Sequence, residues 1–171
     1  MSTQNECINK IDEKKRYEEL QVMSLDFARK GDSATLQKMI KHGLNKNLAD
    51  EKGNTLLMLA TYNGQLECAK MLLELGVDVD KRNDRGQTPL GGVAFKGNLE
   101  MVKLLLKFGA KIDADNGGGK TPLLFAAMFG QKYIVAYLIK KGANPKAKTL
   151  FGLSINQIAK LTGGVRTVFG A

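Results

Sequence analysis

The sequence predicts an all-α solenoid of helix-turn-helix units joined by β-hairpin-like loops. Its glycines recur at a fixed step of 33 residues, apolar residues follow the same step, and each unit carries signals for helix ends. Such self-similarity is typical of repeat proteins, whose units stack because none can bury its apolar face alone. The glycine columns are Gly31, Gly64, Gly97, Gly130 and Gly163; Gly53, Gly86, Gly119 and Gly152; and Gly43, Gly76, Gly109 and Gly142. The apolar columns are Leu57, Leu90 and Leu123; Ala60, Val93 and Ala126; and Leu72, Leu105 and Leu138.

Within one unit the elements follow in a fixed order. Thr88 is suited to cap a short helix that begins at Pro89, where a missing N–H costs nothing, and Gly97 ends that helix. A second helix is predicted over Leu99–Phe108, because its apolar residues fall on one stripe at helical spacing. The polar, turn-rich segment Ala110–Lys120 predicts a hairpin-like loop before the next unit.

The period divides the chain into six segments. Residues 1–22 are predicted to form an N-terminal capping helix or leader, since Asp12–Leu20 resembles a charged helix running into Met23–Lys30. Residues 23–48 form a partial first repeat, and 49–81, 82–114 and 115–147 form repeats 2, 3 and 4. Residues 148–171 form a truncated C-terminal capping repeat. There Ser154–Leu161 fits a first helix, and Val165, Val168 and Phe169 either cover the last unit or lie exposed.

The residues that open and close each unit resemble the ankyrin repeat family. The stretches Asn83–Leu90 and Gly97–Leu105 carry the match, with Gly119–Leu123 repeating its opening, and the resemblance runs from about Met23 to the C terminus. The histidine usual after Thr-Pro-Leu is replaced by Met58, Gly91 and Leu124, and Leu56 stands where proline is usual. These departures are expected to loosen local hydrogen bonding without changing the fold. The resemblance implies a non-enzymatic module that binds protein through its concave face, formed by hairpin tips and the exposed side of the first helices.

Candidate binding residues lie on that implied surface. The first helices supply two adjacent columns, Tyr62, Phe95 and Met128, and Asn63, Lys96 and Phe129. These columns extend to Arg29 and Leu161 and to Lys30 and Thr162, and the tips supply Lys52, Asn54, Arg85, Gln87 and Lys120. Aromatic and methionine side chains beside polar ones are typical of interface cores. The alternative is that the rings shield the short helices from water and bind nothing.

No residues combine into a catalytic, metal or cofactor site. The single histidine, His42, ends a helix and is predicted to cap it, and Cys68 is predicted to pack in the core at the position of Met101 in the next unit. The run Gly117–Thr121 lacks the first glycine and the strand of a phosphate loop, so we interpret it as a hairpin tip. We therefore expect no enzyme, no cofactor and no small-molecule substrate.

Composition and charge favour a cytoplasmic protein with a protein partner. Two cysteines are too few for a secreted disulfide scaffold, the N terminus lacks a signal-peptide pattern, and no apolar run approaches the ~20 residues that span a bilayer, so no membrane partner is expected. Residues 117–171 contain eight basic residues and no acidic one, which would steer an acidic protein or a polyanion to this end. A simply solvated basic end is the alternative. With one arginine in this stretch, nucleic acid is the less favoured polyanion.

The sequence therefore predicts a monomeric module that holds a folded protein, and its basic end favours an acidic one. A second hypothesis is an accessory role, because the stretch Gly53–Ala60 with Asn83–Gly97 is similar to small stand-alone bacterial ankyrin proteins, some of which accompany catalase and are suspected of aiding its haem loading. Only His42, Cys7, Cys68 and the tyrosines could ligate haem, so direct haem carriage is weakly supported.

Overall fold

The computed structural model describes the backbone of residues 2–155 and 157, and side chains from residue 13 onward except residue 156. Within this part of the chain eight helices follow one another and no strand forms. Isolated antiparallel bridges join Ala49 to Thr55 and Lys148 to Ser154. The helices are α1 (Ser2–Lys30), α2 (Ser33–Lys41), α3 (Leu56–Tyr62), α4 (Leu66–Glu74), α5 (Pro89–Lys96), α6 (Leu99–Lys107), α7 (Pro122–Met128) and α8 (Lys132–Lys140). The predicted all-α repeat solenoid is confirmed.

The predicted helix signals act as expected in the unit of α5 and α6. Thr88 is the N-cap of α5 and its hydroxyl accepts a hydrogen bond from Gly91 N–H, while Pro89 is the first helical residue. Gly97 ends α5 in the left-handed conformation, with φ of 87°. The second helix ends at Lys107, one residue earlier than predicted, because Phe108 takes the C-cap position.

The apolar columns form the core between stacked units. All nine residues of the three predicted columns are buried. The first helices α1, α3, α5 and α7 contact one another in succession, and behind them α2 contacts α4 and α6 contacts α8. Each unit thus covers the apolar face of its neighbour, as stacking requires.

The N-terminal end differs from the repeat in the length of its first helix. Helix α1 is continuous from Ser2 to Lys30 and crosses the proposed boundary at residue 22 without a break. Most of the predicted helix Ser154–Leu161, the tail residues Val165, Val168 and Phe169, and the column ends Leu161 and Thr162 lie outside the described residues.

Every hairpin tip among the described residues closes with the same backbone hydrogen bond. The residue at the start of the tip donates its N–H to the carbonyl four residues later, as in Asp50 to Asn54 at 3.0 Å. The equivalent bonds are Asn83 to Gln87, Asn116 to Lys120 and Thr149 to Leu153. The run Gly117–Gly119 forms the third tip, with φ of 90°, 72° and 74°, so its interpretation as a tip is confirmed.

The expected loosening of hydrogen bonds at Gly91 is wrong. The side chain of Asn116, from the following tip, fills the space that a side chain at residue 91 would take. Its Oδ1 accepts from Thr88 N–H at 2.7 Å and from Thr88 Oγ1 at 2.9 Å, and its Nδ2 donates to the Ala114 carbonyl at 2.8 Å. A neighbouring unit therefore supplies the polar contacts, and no buried polar side-chain atom among the described residues lacks a partner.

Candidate functional site

A groove of about 680 Å³ runs between the first helices α3, α5 and α7 and the hairpin tips. The helices form its apolar wall and the tips its polar wall. Nine of the eleven predicted binding residues line it: Tyr62, Phe95, Met128 and Phe129 on the helix side, and Lys52, Asn54, Arg85, Gln87 and Lys120 on the tip side. Residues far apart in the chain meet here because the 33-residue period brings equivalent positions side by side.

An aromatic row, made of Tyr62, Phe95 and Phe129, lies along the helix wall. The Tyr62 and Phe95 rings are stacked with centroids 6.4 Å apart and an interplanar angle of 7°, and Phe129 meets Phe95 edge-on at 4.3 Å. The Tyr62–Phe95 separation falls within the range of favourable aromatic pairs, and the Phe95 and Phe129 rings lie slightly closer than that range. Phe95 is half-buried in the middle, whereas Tyr62 and Phe129 are 45% and 48% exposed. The row therefore presents ordered apolar surface to solvent.

Two predicted residues, Asn63 and Lys96, do not line the groove. The Asn63 side chain turns back and donates to the Leu59 carbonyl at 2.7 Å. Lys96 places its ammonium 4.7 Å from the centre of the Tyr62 ring, a cation–π distance. Consecutive residues on a helix project about 100° apart, so two adjacent columns cannot both face one groove. Phe129, the C-cap of α7, lines the groove nevertheless, whereas Asn63, the C-cap of α3, does not.

The floor of the groove comes from a column that the sequence prediction missed. Leu59, Gly92 and Phe125 all line it, and each precedes a residue of the Tyr62, Phe95 and Met128 column by three positions. Residues three apart share a helix face, so the signal was present in the spacing. Gly92 leaves a recess in this floor, where an added Cβ would touch only the Tyr62 ring, at 3.6 Å. We call this space between Leu59 and Phe125 the Gly92 recess.

The tip wall is held by side chains that bond to the tip backbone. Asp50 Oδ1 accepts from the N–H groups of Lys52 and Asn54, at 3.0 and 2.9 Å. In the next tip Asn83 Oδ1 accepts in the same way from Arg85 and Gln87, at 3.1 and 2.9 Å. Lys52 and Arg85 are thereby presented at fixed positions on the wall, with Glu51 and Asp84 beside them.

Asp50 has a pKa below the usual aspartate value. Partial burial would raise it, but hydrogen bonds from Asn54 and Lys52 and the charge of Arg29 together outweigh that effect. The Arg29 guanidinium lies 3.4 Å from the Asp50 carboxylate. Arg29 therefore pairs within the protein at the N-terminal end of the column of Tyr62, Phe95 and Met128.

Two of the candidate catalytic and haem-ligating residues, His42 and Cys68, have structural roles outside the groove. His42 is the C-cap of α2, and its Nδ1 donates to the Lys38 carbonyl at 2.7 Å, which confirms its capping role. Cys68 is buried with 1% of its surface exposed, as predicted, and burial raises the pKa of its thiol to about 11. A thiol with such a pKa is almost wholly protonated near neutral pH. Across the described residues no group of three or more His, Cys, Asp or Glu side chains could hold a metal ion.

Comparison with known proteins agrees with the geometry. The family model for ankyrin repeats in three copies matches residues 21–83 and 75–149, which is more than half of the chain. The chain belongs to the ankyrin repeat family. It is also similar to an ankyrin repeat protein of Pseudomonas aeruginosa, with 43% identity over 46 residues, a segment that spans 27% of each chain.

Ankyrin repeats generally mediate protein–protein interaction and are typically not enzymes. Among the described residues no helix is both long enough and apolar enough to cross a membrane.

Proposed function

We propose that this ankyrin repeat protein is a non-enzymatic module that binds a folded protein in the groove between its first helices and its tips. The observation that carries the proposal is the aromatic row, which leaves nearly half of Tyr62 and of Phe129 in solvent. Aromatic anchors beside arginine are enriched among the residues that dominate binding energy at protein interfaces. Arg85 stands on the facing wall of the same groove.

The aromatic row is suited to binding because its position is fixed before a partner arrives. Phe95 contacts both of its neighbours, and the Lys96 ammonium lies over the Tyr62 ring. Rings that are already ordered lose little conformational entropy when they are covered, so more of the contact energy appears as affinity.

The Gly92 recess gives the groove a place for a partner side chain. It lies on the floor between Leu59 and Phe125, with the Tyr62 ring beside it. An apolar side chain placed there would contact aromatic rings and lose water, which is the setting of a typical interface hot spot.

The tip wall favours a partner with carboxylates on its facing edge. Lys52, Arg85 and Lys120 outnumber the acidic residues Glu51 and Asp84 on this wall. Such complementarity chiefly raises the association rate and selects the partner, and it weakens with salt.

Affinity capture from the native host, read by mass spectrometry, tests this proposal when groove variants are compared with wild type. Gly92→Leu fills the recess with the residue found at the equivalent position 59 of the preceding repeat, so it blocks the groove without threatening the fold. The double variant Tyr62→Ala/Phe95→Ala removes two anchors instead. Both are expected to lose at least about tenfold of the captured partner, since each anchor contributes roughly 1–2 kcal/mol or more.

The matched control is Tyr133→Ala, which removes an aromatic side chain that is 83% exposed and does not line the groove. It is expected to capture the partner as wild type does. Equal capture by wild type and Gly92→Leu would show that the partner does not occupy the groove.

A further inference from the structure

The last described hairpin tip presents two large apolar side chains at its apex. Leu150 is 80% and Phe151 90% exposed. The equivalent residues of the three preceding tips are polar or small: Glu51 and Lys52, Asp84 and Arg85, and Gly117 and Gly118. Stacking of the repeats therefore does not require apolar residues here, and the pair needs another explanation.

Backbone hydrogen bonds fix this tip without help from the two side chains. Thr149 N–H donates to the Leu153 carbonyl at 3.0 Å, and Gly152 N–H donates to the Thr149 carbonyl at 2.8 Å. Leu150 N–H donates to the Gly118 carbonyl of the preceding tip at 2.9 Å. The apex is thus a protrusion held by backbone hydrogen bonds, and its two exposed side chains can enter an apolar environment outside the protein.

One lysine lies beside the apex, and two others precede the tip in the chain. Lys120 Nζ and Leu150 Cδ1 each lie 3.9 Å from the point where a Cβ on Gly118 would stand. Lys148, in the bridge at the base of the tip, and Lys146 are both exposed. No aspartate or glutamate occurs in the sequence after residue 115, and the carboxylate found near these lysines is that of Asp113, which accepts from Asn144 N–H at 3.0 Å.

We propose that this tip docks on an anionic lipid bilayer, with Leu150 and Phe151 inserted at the boundary of the acyl chains and Lys120, Lys146 and Lys148 against the headgroups. An apolar protrusion with one lysine beside its apex and another at its base matches the two layers of such a surface, apolar inside and anionic outside. A bilayer accepts a protruding side chain at any point, whereas a protein partner must offer a matching pocket. The lack of an apolar run long enough to span a bilayer predicted no membrane partner. A tip that docks on the surface needs no such run.

The test is co-sedimentation of the full-length chain with vesicles of phosphatidylcholine alone or with about one third phosphatidylserine. Wild type is expected to sediment with the anionic vesicles only, and less so as salt is raised. The double variant Leu150→Ser/Phe151→Ser is expected to lose at least about tenfold in partitioning, because two apolar side chains no longer leave water. Its circular dichroism and melting are expected to match wild type, since both side chains are exposed.

The matched control is Val22→Ser/Met23→Ser, which removes two exposed apolar side chains from helix α1, outside the groove, without changing the net charge. It is expected to bind vesicles as wild type does. The proposal is overturned if wild type ignores anionic vesicles, binds neutral ones equally well, or keeps its binding in the Leu150→Ser/Phe151→Ser variant. Self-association that this variant abolishes, without any vesicle binding, would identify a second copy as the occupant and also overturn it. None of these outcomes bears on the groove.

Discussion

Two adjacent glycines of α5 are expected to respond in opposite directions to the same substitution. Gly92→Ala should stabilise the protein, because alanine is favoured over glycine inside a helix by about 0.8–1 kcal/mol. The new Cβ would meet only the Tyr62 ring, at an ordinary contact distance of 3.6 Å. The melting temperature should rise by roughly 2–4 °C, the shift expected per kcal/mol for a chain of this size.

Gly91→Ala should destabilise the protein despite the same gain in helix propensity. The new Cβ would overlap the Asn116 side-chain amide, which is buried and makes three hydrogen bonds to Thr88 and Ala114. Moving it leaves buried polar groups without partners, at about 1–3 kcal/mol each. After the helix gain is subtracted, the net loss should be about 2 kcal/mol or more.

Urea unfolding followed by circular dichroism gives both free energies, and a double-mutant cycle identifies the cause. In an Asn116→Ala background Gly91→Ala should become neutral or stabilising, because the group that it displaces is gone. The reasoning is refuted if the two glycine variants shift stability in the same direction, or if Gly91→Ala costs as much without the Asn116 side chain as with it.

Three further predictions concern single groups. Because folding lowers the pKa of Asp50, its carboxylate stabilises the folded protein fully above the unfolded-state pKa of about 3.9. This stabilisation is lost as the pH falls through the lower pKa of the folded state. The free energy of unfolding of Asp50→Asn should therefore fall less steeply at low pH than that of wild type. If the free energy of unfolding of this variant fell as steeply at low pH as that of wild type, another group would be the cause of the acid sensitivity. In a Cys7→Ser protein, Cys68 should react with a thiol reagent at pH 8 at least about 100-fold more slowly than an unfolded control, since its pKa is about 11. Fast labelling of the folded protein would contradict its burial. Gly118→Ala should cost about 1 kcal/mol for its left-handed backbone, and Gly119→Ala should cost more, because its Cβ would lie 3.0 Å from the Lys148 carbonyl. Equal melting temperatures would refute that difference.

The fold could be predicted from the sequence because stacking imposes its period on the residues. Ala60, Val93 and Ala126 are buried at equivalent places, so one column in the sequence corresponds to one layer of the core. Helix ends could be predicted as well, since Thr88 and Gly97 act through local geometry alone.

The groove was predicted less completely, because its shape depends on contacts between units. The same column rule that selected Tyr62 and Phe95, which line the groove, also selected Asn63, which bonds back to its own helix, and Lys96, which lies over the Tyr62 ring of the preceding unit. No local pattern states that a side chain will fold back on its helix. The sequence prediction did not include the Gly92 recess, because a glycine contributes no side chain to a column. Its spacing of three residues from Phe95 nevertheless places it on the same helix face.

Departures from the period fall into two kinds, and the distinction separates structure from function. In a repeat array each unit contacts only its neighbours, so a residue that breaks the pattern is either matched by an adjacent unit or left unmatched. Gly91 is matched by Asn116 of the following unit, so it serves the fold. The Gly92 recess and the exposed apex of Leu150 and Phe151 have no such match among the described residues. Since stability does not account for them, they are the positions where a binding partner would explain the sequence. A variant that fills the recess or removes the apex should therefore leave unfolding unchanged or improved and alter only what the protein binds.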